Sequence, residues 1–325
     1  MTNCYSNINE VYLDAIKYIR NNGLIVNSVS DDRSVGSFFG NGERPYKEVL
    51  GYSFVLDNPR SRIVTSYHRK ASLGFAIANS LWVLNARSDV KSISFYNKLG
   101  KAFSDNGKYY ESAFGKRIFT DYNSWNYAKA LLQSDTNTRR ALIPIFLPKD
   151  LIDRPFDTPC ASYIHLLIRD NKLDMILSMR SQSVIMVFPY DLFLFTILQE
   201  FFTLQLNVEL GKLHYYCDSF HYYLNEEELG GSIVNEQTGC NHNNSIMPHM
   251  TNLSDLQIKK IKYTERKIRD CIFKDKGFPY SSLEGIDDYW RELLYVLWIK
   301  GCQEHKKKSD LQTMFKHAYL NNNKI

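Results

Sequence analysis

The segment "DTPCASYIHLLIRDNKLDMILSMRS", residues 157–181, contains the pattern that decides the fold. Pro159 and Cys160 precede two runs in which apolar side chains alternate with others, and RDNK separates the runs. Alternation with a period of two is typical of a β-strand with one buried face, and a short polar linker between two such runs predicts a hairpin. The segment therefore predicts an antiparallel pair of strands, with the cysteine at the start of the first and Arg180-Ser181 at the end of the second.

The sequence on both sides of this hairpin alternates between helical and extended patterns. Apolar residues three and four positions apart predict helices over 9–22, 70–86 and 191–211, with Asp191 as the N-cap of the third. The runs ALIPIFL and KLHYYCDSFHYYL predict further strands. These patterns indicate an α+β fold in which helices cover a mainly antiparallel or mixed β-sheet.

The composition changes after the last predicted strand. Residues 226–252 are polar and rich in Asn and Gly, which predicts a loop or linker. Two amphipathic helices follow it. We therefore expect a nucleotide-binding catalytic domain over residues 1–225, followed by a linker and a helical C-terminal extension over 226–325.

Charge and length limit the classes of function. The chain has 325 residues, of which 44% are hydrophobic and 23% are charged, as in an ordinary globular protein. Its net charge of +5 is too small to indicate polymeric nucleic acid or a membrane surface as the partner. It suits a small anionic ligand instead.

The six cysteines are scattered, and no pair has C-x-x-C spacing. We interpret them as reduced thiols of a cytoplasmic protein. The first twenty residues lack the pattern of a signal peptide, and the most apolar window, VIMVFPYDLFLFTILQEFF, contains Pro189, Asp191 and Glu200, which argue against a membrane span. The eight histidines show no metal-ligand spacing with cysteines, so we expect no metal site.

Several single residues are candidates for chemistry, although each has a simpler structural explanation. A cysteine in a strand, such as Cys160, is more often a small buried apolar side chain than a nucleophile. Adjacent arginines such as Arg139 and Arg140 are usually solvated, but two guanidinium groups can also grip a phosphate. Arg180 can cap the sheet edge or bind an anion, and His221 and Tyr223 alternate on one strand face.

Taken together and in this order, these residues resemble the thymidylate synthase family over about residues 9–225. The resemblance is carried by the segments TNTRRALIPIFLPKDL, TPC, RSQSVIMVFPYD, HYY and DDRSVGSFFG. They match, in order and approximate spacing, that family's phosphate arginines, Pro-Cys nucleophile, Arg-Ser segment leading to Pro-Phe-Asn, His-x-Tyr pair and Asp-Arg loop.

The resemblance implies a reaction at a pyrimidine ring. Cys160 would add as a thiolate to C6, so that C5 becomes a carbon nucleophile, and Arg180 would stabilise the thiolate. The enzyme would be a homodimer, because the family donates two phosphate arginines across the subunit interface. The implied contacts are Arg33, Arg180 and Ser181 with the 5′-phosphate, Arg139 and Arg140 with the same phosphate from the partner, and His221 and Tyr223 with the sugar hydroxyl.

Asp191 stands where the synthases of this family have Asn, which contacts uracil, and where the cytidylate hydroxymethylases have Asp. A carboxyl group accepts a hydrogen bond from the cytosine 4-amino group and, when protonated, donates one to N3. The resemblance therefore implies 5-hydroxymethylation of CMP or dCMP, with methylenetetrahydrofolate as the one-carbon donor and water as the final nucleophile.

Several positions depart from the family pattern on the cofactor side. Asn79 replaces a glutamate that acts as general acid or base, and Phe114 replaces a proton-relay tyrosine. Ser183 replaces an aspartate that contacts folate, Val187 replaces a glycine that gives the folate room, and Ala161 replaces the usual histidine after the nucleophile. A positioned general acid or base contributes roughly 10²–10⁴-fold in rate. Loss of the glutamate and the tyrosine should therefore leave folate-dependent transfer very slow.

Three interpretations follow from this combination of matching nucleotide-side residues and replaced cofactor-side residues. The first is a cytidylate hydroxymethylase with a rearranged proton relay, which the combination of Asp191 and Cys160 favours. The second is a folate-independent reaction through the Cys160 adduct. The third is a protein, or an inactive subunit, that binds a nucleotide without transferring a group.

Overall fold

The computed structural model describes residues 3–27, 45–153, 157–236, 246–251, 254–309 and 311. The strands are β1 (Asn3–Tyr5), β2 (Leu24–Val26), β3 (Tyr46–Leu56), β4 (Leu142–Pro144), β5 (Ala161–Arg169), β6 (Lys172–Ser183) and β7 (Glu209–Tyr223). The α-helices are α1 (Ile8–Asn22), α2 (Leu73–Leu84), α3 (Val90–Ile93), α4 (Phe114–Lys116), α5 (Ser124–Ser134), α6 (Pro148–Ile152), α7 (Phe188–Leu206), α8 (Glu227–Val234), α9 (Asp255–Phe273) and α10 (Asp288–Glu304). Shorter helical turns span Lys98–Phe103, Arg117–Asp121, Leu224–Glu226 and Tyr280–Leu283.

One seven-stranded mixed sheet organises the molecule, in the order β1-β3-β7-β6-β5-β4, with β2 pairing on β3. The predicted hairpin is confirmed: β5 and β6 are antiparallel, and Asp170 and Asn171 between them have φ values of 49° and 58°. Two consecutive left-handed residues are typical of a tight hairpin turn. Strand β7 then runs parallel to β6, and α7 makes the connection between them.

The two faces of the sheet differ in what covers them. On one face, a row of residues in register across four strands is fully buried: Phe54, Tyr215, Leu177 and Ile164. On the other face, a neighbouring row remains at least partly exposed: Val55, His214, Ile176, His165 and Leu142. Tyr216 on that same face is 45% exposed. This face is called the open face below.

Helix α7 lies in the centre of the core, which is why its sequence is apolar on all sides. The amide of Gln199 donates to the carbonyls of Leu173 and Lys212, both at 3.0 Å, and so links the helix to β6 and β7. The prediction that the helix begins at Asp191 and continues to 211 is wrong at both ends. Pro189 fits in the first turn because that turn needs no donor there, so the helix begins at Phe188 and Val187 is its N-cap.

The C-terminal helices α9 and α10 pack against each other, and α10 also packs on α2. A buried ion pair fixes the start of this region, because Glu200 accepts from Arg62 at 2.6 Å and from the Met250 N–H at 3.0 Å. The prediction that residues 226–252 form only a loop is wrong, since α8 lies within them. Glu227 of that helix pairs with Arg20 of α1 at 3.0 Å, a long-range contact that stabilises it.

A second buried ion pair allows a test of the packing around α4. Arg117 and Asp150 are each 1% exposed and form two hydrogen bonds of 2.6 and 2.8 Å. We expect Asp150→Ala to lower the free energy of unfolding by about 3–5 kcal/mol, because it leaves a guanidinium group buried without its partner. Urea unfolding followed by circular dichroism measures this loss.

The matched control for that experiment is the exposed pair of Lys307 and Asp275, which lie 3.1 Å apart at the surface. Exposed ion pairs contribute about 0–1 kcal/mol, so Lys307→Ala should leave the urea midpoint almost unchanged. Equal losses in the two variants would show that burial of the Arg117 pair has no special energetic role.

Candidate active site

The loop before β5 holds the candidate nucleophile. Cys160 is partly buried and directly precedes the first residue of the strand. Asp157 anchors this loop, because its carboxylate accepts from the Ser112 N–H at 3.0 Å and from the Ser112 hydroxyl. Burial raises the pKa of Asp157 to about 6, and the two Ser112 contacts oppose that rise. The loop that carries Cys160 is thus tied to the segment that leads into Phe114.

Arg180 lies beside Cys160 on the neighbouring strand. Its backbone N–H donates to the Cys160 carbonyl at 2.8 Å, and its side chain extends back along the loop. Nε donates to the Pro159 carbonyl at 2.9 Å and Nη2 donates to the Thr158 carbonyl at 3.2 Å. The two carbonyls hold the guanidinium group in place, and the group is also exposed to solvent. An anion could therefore bind to its exposed side. The partly buried Ser181 follows it on β6, opposite Ser219 of β7.

Asp191 lies in the first turn of α7, close to the end of β6. It is partly buried, and its Oδ2 accepts a hydrogen bond from Nε2 of Gln182 at 3.1 Å. Burial raises the pKa of Asp191 to about 7, and the Gln182 amide opposes that rise. The prediction that Asp191 caps the helix is wrong, because its side chain contacts the strand instead. At neutral pH this carboxyl is therefore poised between its neutral and ionised forms.

His221 and Tyr223 lie near the end of β7, where His221 pairs in register with Ser183 of β6. The His221 ring is 8% exposed, and its Nδ1 lies 3.4 Å from the Ser219 carbonyl. Its centroid is 5.3 Å from the Tyr223 ring and 5.2 Å from the Tyr46 ring. The structure thus brings Cys160, Arg180 and Ser181 onto the same sheet ends as Asp191, His221 and Tyr223.

Arg139 and Arg140 lie elsewhere in the same chain. They are exposed and precede the edge strand β4, whose Leu142 pairs with His165 of β5. His165 is five residues beyond Cys160, so at ~3.3 Å per residue these arginines are more than about 15 Å from Cys160 along the sheet. They do not join the other predicted residues within one chain. Arg33, another predicted phosphate contact, lies outside the described residues.

Four of the positions that depart from the family pattern lie on α2, at the start of α4, at the end of β6 and just before α7. Asn79 is partly exposed on α2, and the Phe114 ring packs 5.6 Å from the Phe195 ring of α7. Ser183 is buried, and its hydroxyl accepts from the Met186 N–H at 3.4 Å. Val187 is 42% exposed at the start of α7. None of these four side chains carries a carboxyl group that could replace the lost acid.

Three residues at the site were not predicted from the sequence. Gln182 contacts Asp191, and the Tyr215 hydroxyl donates to Gln182 Oε1 at a long 3.5 Å. Arg69 donates to the carbonyls of Ile185 and Met186 at 2.6 and 2.9 Å, and so fixes the turn between β6 and α7. No local motif gives these residues a role, because each acts through a partner on another element of the fold.

Other chemical groups were searched over the described part of the chain. It contains no cluster of three or more His, Cys, Asp or Glu side chains that could hold a metal ion. None of the five cysteines within the described ranges forms a disulfide. No helix among the described residues combines the length and apolarity that a membrane span needs.

The fold and this arrangement define a class of protein. A family model described as thymidylate synthase matches residues 10–273, which is most of the chain. The chain therefore belongs to the thymidylate synthase family, and the resemblance noted in its motifs is confirmed.

Curated relatives of two kinds are similar to this chain. The deoxyuridylate hydroxymethyltransferase of Bacillus phage SP01 is 29% identical over 205 residues, which cover 58% of this chain and 53% of the relative. The enzyme of the same name from Delftia phage PhiW-14 is 28% identical over 202 residues, covering 57% and 56%. The thymidylate synthase of Francisella tularensis subsp. holarctica is 24% identical over 249 residues, covering 70% and 82%. The chain spans about half the length of the phage relatives.

A solved structure supports the fold. Thermostable thymidylate synthase A from Bacillus subtilis superposes with a TM-score of 0.58 at 19% identity, covering 71% of this chain and 85% of that one. The predicted fold class, a mixed sheet covered by helices with a helical C-terminal region, is confirmed.

Proposed function

We propose that this protein transfers a one-carbon unit to C5 of a pyrimidine nucleoside monophosphate, with Cys160 as the nucleophile, and that the product is a 5-hydroxymethyl nucleotide. The observation that carries this proposal is the hydrogen bond between the Arg180 N–H and the Cys160 carbonyl. It holds the backbones of the proposed nucleophile and the proposed phosphate-binding cation side by side, before the start of β5 and near the end of β6.

The chemistry starts with the Cys160 thiolate, which forms a bond to C6 of the pyrimidine. The electron pair of the C5=C6 double bond then becomes available at C5, which turns C5 into a nucleophile. The reaction would be completed by a bond from C5 to the one-carbon unit, loss of the C5 proton, departure of the donor with addition of water, which supplies the hydroxyl group, and cleavage of the S–C6 bond, which restores the double bond. The exposed guanidinium of Arg180 favours the thiolate, since a nearby cation lowers the cost of the charge.

Phosphate binding requires more than one chain in this proposal. Arg180 and Ser181 serve the site of their own chain, together with Arg33, while Arg139 and Arg140 serve the site of a second copy. The partner is a second copy seated on the open face, because that face exposes apolar side chains such as Leu142, at 45%. The resulting homodimer has two sites, each built from both chains.

The base is recognised by Asp191. Its neutral carboxyl complements cytosine, which makes CMP or dCMP one candidate substrate. The phage relatives named deoxyuridylate hydroxymethyltransferase support uracil as the other candidate. His221 and Tyr223 contact the sugar.

The one-carbon donor in this proposal is methylenetetrahydrofolate, which the family uses generally and which carries carbon at the oxidation level of formaldehyde. The residues at the family's folate positions fit it poorly, however. The Ser183 hydroxyl accepts from the Met186 N–H, and the Val187 side chain occupies a position that is open in the family. The chemistry assigned to this chain therefore stops at the activated pyrimidine, and a folate-independent reaction is the second candidate function.

The test uses CMP, dCMP, UMP and dUMP, each tritiated at C5, with and without methylenetetrahydrofolate. Release of tritium only with the folate, together with a 5-hydroxymethyl product in the mass spectrum, is the expected result. Release without the folate, together with a product of changed mass, would support the second candidate, whereas release from an unchanged nucleotide would show only exchange through the Cys160 adduct. Binding of a nucleotide with no release in any mixture would contradict both, and would leave a nucleotide-binding protein.

A further inference from the structure

Gln182 joins the proposed base contact to the sheet. It is 2% exposed near the end of β6, where its amide lies between the Tyr215 hydroxyl and the Asp191 carboxyl. The Tyr215 O–H donates to Oε1, which leaves Nε2 directed at Asp191 Oδ2. A buried amide with a partner at each end has a defined orientation. The family resemblance gives this position no role.

The hydrogen bond from Gln182 gives the two oxygens of Asp191 different roles. Oδ2 accepts from the Gln182 amide at 3.1 Å, so a proton on the neutral acid is favoured on Oδ1. We infer that Gln182 is a positioning residue that sets the base preference of the site, because it fixes which carboxyl oxygen accepts and which one changes its protonation. This inference rests on the proposed function, in which Asp191 faces the base.

The two pyrimidines respond differently to this arrangement. Cytosine has an acceptor at N3 and a donor at its 4-amino group, so it pairs with the neutral acid: Oδ1–H donates to N3, and Oδ2 accepts from the amino group. Uracil has a donor at N3 and an acceptor at O4. With Oδ2 held as an acceptor by Gln182, uracil is matched at N3–H alone, by the ionised Oδ1, and its O4 faces an acceptor. Ionisation of Asp191 therefore removes the match to cytosine and leaves uracil a single hydrogen bond.

The surroundings of Asp191 place its titration near neutral pH. Burial raises its pKa to about 7, while the Gln182 hydrogen bond opposes the rise by stabilising the ionised form. Tyr215 faces Asp191 from β7 and Cys217 lies beside Tyr215, and burial raises the pKa of both, so they stay neutral. His221 and Tyr223 lie further along the same strand. From the loop before β5, Cys160 raises the pKa of Tyr215 and Cys217 further.

The test is isothermal titration calorimetry of the full chain with CMP and UMP between pH 6 and pH 8.5. We expect the ratio of CMP to UMP affinity to fall by about tenfold per pH unit in the range of the Asp191 titration, because the two ligands select opposite protonation states. In Gln182→Leu the carboxyl loses a donor, its pKa rises, and the curve moves to higher pH. At a fixed pH above 7 more of the acid then stays neutral, so the affinity for CMP itself should rise by about tenfold or more.

Two further variants separate the possible failures. Tyr215→Phe keeps Gln182 and removes only the hydrogen bond from the Tyr215 hydroxyl to Gln182 Oε1. It should therefore move the pH curve of the affinities in the same direction by less. Asp191→Asn should remove the pH dependence altogether. If Asp191→Asn removes it but Gln182→Leu, still folded by its thermal melt, retains the wild-type curve, the inference about Gln182 is wrong. If the wild type binds none of CMP, dCMP, UMP and dUMP, the proposed function itself fails.

Discussion

Cys160→Ala should abolish release of tritium from C5 while leaving nucleotide affinity within a few-fold of wild type. The thiolate makes the protein's only covalent bond to the pyrimidine in the proposed reaction, so its loss removes the activated C5. By comparison with other covalent catalysts, we expect a fall of at least about 10⁴-fold in kcat. Binding should survive, because Arg180, Asp191 and His221 keep their positions. Tritium release and calorimetry on the same preparation measure the two quantities.

The matched control for that experiment is Cys271→Ala, since Cys271 is another partly buried thiol, on helix α9. It should keep wild-type tritium release, because it is in the helical extension and not on the sheet ends that carry the site. If Cys160→Ala released tritium at the wild-type rate, covalent catalysis through this thiol would be excluded. Loss of binding together with activity would instead assign Cys160 a structural role.

The sequence predicts the centre of the fold well because the signals there are local. Alternation over 157–181 is a property of neighbouring residues, and Asp170-Asn171 supplies the turn between the strands. The failures occur where distant contacts decide. Helix α8 lies in a polar stretch rich in Asn and Gly that suggests a loop, and it forms because Glu227 pairs with Arg20 and Ile233 is buried.

The same distinction separates the parts of the candidate site that motifs could predict from those they could not. The pair of Cys160 and Arg180 lies in one hairpin, so a motif in a single segment suffices to place them side by side. Gln182 is different, because its amide depends on Asp191 from α7 and Tyr215 from β7. A glutamine in a strand has no pattern that distinguishes it from a solvated residue, so its role emerges only from the folded chain.

Arg139 and Arg140 lie too far from Cys160 to serve the site of their own chain. They lie beside the edge strand β4, more than about 15 Å from Cys160 of the same chain by the rise of a strand. If they bind the phosphate at all, they do so in another copy. The open face is the surface on which that copy would sit, with Tyr216 45% exposed at its centre. Sharing of sites between chains is therefore the part of the proposal that a mixing experiment can test.

Mixing two inactive variants should restore activity. A chain with Cys160→Ala keeps its arginines, and a chain with Arg139→Ala and Arg140→Ala keeps its nucleophile. In a mixed dimer, one site receives an intact Cys160 from one chain and intact arginines from the other. After unfolding and refolding an equal mixture, half of the dimers are mixed and each has one complete site, so tritium release should reach about a quarter of wild type. Each variant refolded alone is the control and should stay inactive. Only donation across the interface can produce a complete site from two chains that each lack one part. If the mixture stays inactive while sedimentation shows that the dimers have exchanged, the arginines do not complete the partner's site.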